Sequence, residues 1–191
     1  ALWKKYHENR NFKLIIKNDP KRDNGALTHD FKFKDGQLVG ATISLGNDIG
    51  DRADAATRRE NQYPLTRSLG EERVDSNVLA AGIIAHEFGH VEDASNRPGL
   101  WQTYQDYIDL REKRTSELGL QKGLMDPSVT QKLQSVLNGF GAKDIDAVSL
   151  DTDPRAERIA IPVIEQSFAN NRKKVPERVQ KAINKLLGKQ K

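Results

Sequence analysis

Cysteine is absent from the 191 residues. Its absence excludes disulfides, thiolate metal sites and a thiol nucleophile, and it fits an exported chain as well as a cytosolic one. No run of eighteen apolar residues occurs, so no membrane span is expected. No signal-peptide pattern is visible, and the chain opens on Ala1, as a processed or trimmed chain would. The compartment stays open, with a secreted or extracytoplasmic location as the slightly favoured expectation. Aromatics make up 6%, methionine occurs once and histidine four times. The composition is polar, with 36% hydrophobic and 30% charged residues and a mean hydropathy of −0.72, but it still suffices for a core. The length fits one domain spanning 1–191.

Charge is unevenly placed. Between Asn170 and Lys191 eight basic residues face one acid, Glu177, so this segment carries +7 of a total of +4 and the remainder is about −3. Such a tail can meet nucleic acid or an anionic membrane. A solvated face is the favoured reading over either, because Val179, Ala182, Ile183 and Leu186 form an apolar stripe on a terminal helix over 176–188.

Along the chain, residues 2–9 read as a short helix and 11–18 as a strand. The stretch HDFKFKDGQLVGATISL (29–45) alternates on both sides of Asp35-Gly36, a dipeptide favoured in two-residue hairpin turns. Residues 46–74 are polar and interrupted, with one short helix near 52–60, and read as a lid or as a mobile stretch. Helices are expected at 76–95, 99–119, 128–138 and 154–169. Strands first and helices after them predict an α+β fold, with a small, mostly antiparallel sheet packed on a helical C-terminal half.

The chemistry concentrates in AHEFGH, residues 85–90. On a helix starting at Asp75 or Ser76, His86 and His90 fall on one face together with Leu79 and Ile83. Glu87 lies inside the same apolar arc. A buried charge without a partner costs several kcal/mol. Imidazoles at i and i+4 can both reach one Zn²⁺, and the neighbouring glutamate can then hold water at the ion. A catalytic zinc takes three protein ligands, and with cysteine absent the third is expected to be a carboxylate. Glu157 is the candidate, because it sits amid Ala160, Ile161, Ile164 and Phe168 on a second helix, which Asp153 is expected to cap. A core pairing of Glu157 with Lys or Arg remains the alternative. Asp93, one turn beyond His90, is a candidate to bond the free ring nitrogen of a ligand histidine, or else an exposed acid.

HEFGHVEDA and AERIAIPVIEQSF together resemble the active-site segments of a zincin metallopeptidase group, that of the anthrax lethal factor catalytic domain and related bacterial toxin-type peptidases. The resemblance covers about 25 residues. It implies one Zn²⁺ on His86, His90 and Glu157, with Glu87 as general base in peptide-bond hydrolysis. It also implies an edge strand that pairs with an extended peptide or protein substrate, for which Ala41, Thr42, Ile43 and Ser44 are the match. The group's oxyanion-stabilising tyrosine before the third ligand is missing. Tyr104 and Tyr107 read as core, and neither His29 nor Tyr63 is assigned that role. The alternatives are a zincin-like module without catalysis, or a module that binds an anionic partner through the basic tail.

Overall fold

The computed structural model describes residues 2–21, 25–118 and 126–189. Its fold is α+β, as the order of the sequence signals predicts. The strands are β1 (Lys13–Asn18), β2 (Ala26–Lys34) and β3 (Gln37–Leu45). The β2–β3 connection is the expected hairpin: Asp35 and Gly36 both have positive φ, 51° and 72°, which matches the right-handed twist of the flanking strands.

β1 does not follow the hairpin's sense. It joins β3 in parallel, so the sheet has the order β1–β3–β2 and is mixed rather than mostly antiparallel. This placement overturns the edge-strand expectation. Ala41, Thr42, Ile43 and Ser44 pair with β1 on one side, and Thr42 to Ser44 pair with β2 on the other. β3 is the central strand, and the free edges belong to β1 and β2. On β2 the register slips between His29 and Lys32, where Asp30 adopts φ 52°, and such bulges bend and re-aim a strand.

The inner face of the sheet, with Phe31, Ala41 and Ile43, packs on Phe88, Val91 and Ala94 of α4 (Ser76–Asn96) and on Trp101 of α5 (Pro98–Leu118). The polar segment before α4 carries the short helix expected near 52–60 and a second one that was not expected. It folds into α2 (Arg52–Thr57) and α3 (Pro64–Glu71), and α3 buries Leu65 and Leu69. In a helix this short, two or three apolar residues supply the burial, too few for a readable period.

After α6 (Pro127–Phe140), α7 spans Ile145–Asn170, capped by Asp144, whose side chain accepts the Ala147 N–H. α7 starts nine residues before the expected position, so Asp153 is not a cap but lies inside the helix beside Pro154. α4 and α7 meet in close backbone contact. A Cβ built on Gly89 would lie 2.5 Å from the Ala156 Cα, and one on Gly82 would lie 3.1 Å from the Ile164 Cδ1. The terminal helix α8 (Glu177–Leu186) buries the stripe Val179, Ala182, Ile183 and Leu186. Arg178 pairs with Glu71, Lys181 with Glu177 and Lys185 with Glu60, so these cations of the tail form a solvated, ion-paired face. Among the described residues, no helix is long and apolar enough to cross a membrane.

Candidate metal centre

Helical spacing places His86 and His90 one turn apart on α4, and the Gly89–Ala156 contact brings α7 against that same turn. The side chain that α7 presents there is Asp153. His86 Nε2 and His90 Nε2 lie 3.1 Å apart, and Asp153 Oδ1 lies 3.4 Å from His90 Nε2 and 3.9 Å from His86 Nε2. The three residues are the group among the described residues whose ligand atoms converge closely enough for one ion. A tetrahedral Zn²⁺ with bonds of about 2.0–2.1 Å holds its ligands about 3.3–3.4 Å apart, so the observed spacings straddle the required one. The second oxygen of Asp153 and the Nδ1 atoms of both histidines are buried without hydrogen-bond partners. A cation held by the two Nε2 atoms and Asp153 Oδ1 would compensate the burial of that carboxylate, whereas each Nδ1, on the other side of its ring, would still need an acceptor of its own.

Electrostatics separates the two rings. Burial, with help from His90 and Arg58, holds His86 well below the usual histidine value. Burial pulls His90 down too, but Asp153, Glu87 and Asp93 outweigh it, and the ring sits above its ordinary value. The neutral imidazole is the form that ligates a metal.

Glu157, the expected third ligand, is placed elsewhere. It is 1% exposed, and its two oxygens accept the backbone N–H groups of Leu65, at 2.7 Å, and Thr66, at 2.9 Å. These are orphan donors of the first turn of α3, whose N-cap residue, Tyr63, provides no side-chain cap. Glu157 thus caps a helix 92 residues away in sequence. Burial pushes its carboxyl up to about 7 against the lowering effect of those bonds.

Asp93 does not bond a histidine nitrogen either. Its carboxylate accepts from Trp101 Nε1 at 2.8 Å, from Arg97 Nε at 2.9 Å and from a terminal guanidinium nitrogen of Arg97. Arg97 in turn reaches Asp151 on α7 at 2.7 Å. Besides its charge, which acts on His90, Asp93 touches the centre through Trp101, whose ring stands edge-on to His90 at 5.9 Å.

Glu87 is 6% exposed and lines the same cleft, of about 560 Å³, as His86, His90 and Asp153. The Thr28 hydroxyl of β2 donates to Glu87 Oε2 at 2.7 Å, which fixes the carboxylate beside the centre. β2 forms one wall of the cleft from Ala26 to Phe31, and Trp101, Tyr104 and Ile108 of α5 contribute to another. Tyr63 enters from the third side. Its ring lies 5.5 Å from that of His86, and burial, with the charge of Asp153 in the same cleft, raises the phenol well above its usual value.

Of the residues that the sequence singles out for the site, the structure gathers His86, Glu87 and His90 in the cleft, where Asp153, Thr28 and Tyr63 join them without having been assigned a part in it. Asp153 carried a readable signal in its i, i+4 relation to Glu157, another buried acid on the same helix face. Comparison of the chain with protein-family models, curated proteins and solved structures gives no match.

Proposed function

We propose that the chain is a zinc-dependent peptide hydrolase with metal ligands His86, His90 and Asp153 and with Glu87 as general base. The observation that carries this reading is the convergence of two Nε2 atoms and one carboxylate oxygen beside a buried, Thr28-held Glu87. Zinc, when bound, supplies a Lewis acid for a carbonyl oxygen and a water that ionises near neutral pH.

The chain's own groups do the rest. Glu87 accepts the proton of the attacking water and returns it to the leaving amine, as a general base and then a general acid. Thr28 keeps the carboxylate oriented by occupying one of its oxygens. An extended peptide fits along β2, whose outer edge borders the cleft, because a free strand edge offers main-chain hydrogen bonds without regard to sequence. The amide of Phe31 is already turned to Gln105 on α5, at 3.3 Å, so the stretch N-terminal to it is the one left for such pairing.

Elemental analysis of the purified chain, joined to turnover of a mixed peptide library with and without chelator, tests the reading. One zinc per chain and chelator-sensitive cleavage are expected. Zinc without turnover would indicate a binding module, and absence of any divalent metal would overturn the proposal.

A further inference from the structure

Asp153 and Glu157 lie one turn apart on α7; Asp153 is turned to the histidines and Glu157 to the start of α3. Glu157 accepts from the Leu65 and Thr66 amides, and Tyr63, two residues earlier, lines the same cleft as Asp153 with its ring 5.5 Å from that of His86. The segment between them has little freedom. Pro64 fixes the first helical position of α3, and Tyr63 is its N-cap residue. On the far side α3 is pressed against α2, since a Cβ on Gly70 would lie 2.4 Å from the Ala56 nitrogen. Arg58 covers the Tyr63 ring at 5.8 Å and is itself tied to Asp54.

A ligand carboxylate needs its second oxygen engaged if the first is to keep a fixed direction. On Asp153 that second oxygen is buried and unpartnered. Resting on the metal reading above, we infer that Tyr63, which lines the same cleft, is the donor that this oxygen takes once Asp153 holds a metal, and that Glu157 is a positioning residue that keeps Tyr63 within reach. The two acids of α7 thus form a clasp on residues 63–66. One carboxylate grips the metal and the phenol, and the other grips the backbone that carries the phenol. A carboxylate capping a helix in trans converts the folding of residues 46–74 into precision at the centre.

Zinc affinity, measured by competition with a chromophoric chelator, reads the clasp without recourse to catalysis. Tyr63→Phe and Glu157→Gln should each weaken zinc by about 10–100-fold, the usual effect of removing a group that orients a ligand. The double variant should be no weaker than the worse single one, because both act through one contact. Asp153→Ala should fall well below either. Hydrogen exchange at the Leu65 and Thr66 amides should accelerate in Glu157→Gln and stay unchanged in Tyr63→Phe.

Additive losses in the double variant would overturn the inference, as would a Glu157→Gln site as poor as Asp153→Ala, which would make Glu157 a ligand. If Glu157→Gln does not fold, Tyr63→Phe decides alone, and unaltered zinc affinity refutes the clasp. A parent that binds zinc but cleaves no peptide removes the proposed function and leaves the clasp standing. A parent that cleaves peptides with unaltered zinc affinity in Tyr63→Phe does the reverse.

Discussion

Gly89 and Ala156 touch backbone to backbone, so closely that a Cβ on Gly89 would lie 2.5 Å from the Ala156 Cα and 2.6 Å from its carbonyl oxygen. This contact sits between His86 and His90 on one helix and Asp153 and Glu157 on the other. It sets the separation at which three ligand atoms converge. Gly89→Ala is therefore expected to force α4 from α7, at a cost of about 1–3 kcal/mol or more. The melting temperature should drop by several degrees, at roughly 2–4 °C per kcal/mol for a chain this size. Zinc affinity should fall with it. Unchanged melting and metal binding would show that α4 and α7 can part at this seam without loss and that the contact does not set the ligand spacing.

Glu87→Gln keeps the shape of the side chain and its contact with Thr28 but removes the base. Hydrolysis should fall by about 10²–10⁴-fold or more, the scale of general acid–base catalysis, while zinc stays at one equivalent. Loss of metal in this variant would make Glu87 a ligand.

Asp93 and Asp153 are both buried, and their substitutions should separate. Asp153→Ala removes a proposed ligand, so zinc should leave at chelator concentrations that the parent survives. Asp93→Ala leaves the Trp101 N–H without its acceptor and Arg97 with Asp151 alone. It should cost roughly 3–5 kcal/mol of stability, the scale for breaking a buried charge pair, discounted because Arg97 is partly exposed and keeps Asp151. The zinc it loses should be the smaller share. Calorimetric melts and metal titrations on both variants check the contrast.

What could be read in the sequence follows from the range of the interactions involved. The helix bearing His86, Glu87 and His90 was legible because its pattern is local, with three residues in five and a capping Asp75 eleven positions earlier. The burial of Glu157 was legible from the apolar residues around it on α7. Its partner was not, because the compensating charge is no cation but two backbone amides on α3. Asp153-Pro154 reads as a helix start because proline is tolerated in a first turn. Here α7 carries Pro154 and Pro162 in its interior, and Asp153 faces the histidines. The hairpin was legible from Asp35-Gly36, whereas the parallel addition of β1 was not, since no local signal specifies which side of a hairpin a third strand joins. The error at residues 41–44 followed from that.

Glu157 also makes the stability of the metal-free chain depend on pH. Its carboxyl is pushed up from the ordinary 4.5 to about 7 in the folded chain, chiefly by burial. A group raised on folding binds more protons in the native than in the unfolded state between those two values, so stability falls as pH rises through that window. A rise from 4.5 to about 7 corresponds to roughly 3 kcal/mol, most of it lost by neutral pH. His86 acts in the opposite direction. Held below its ordinary 6.5, it costs stability as pH falls below that value, so the parent alone gives a mixed profile. The informative quantity is the difference between parent and Glu157→Gln, in which the His86 contribution cancels. Urea unfolding of both metal-free chains at pH 5 and pH 8 should show the parent losing stability relative to the variant by on the order of 2–3 kcal/mol at the higher pH. A constant difference would mean that the Leu65 and Thr66 amides hold the carboxylate ionised throughout, with the cap outweighing burial.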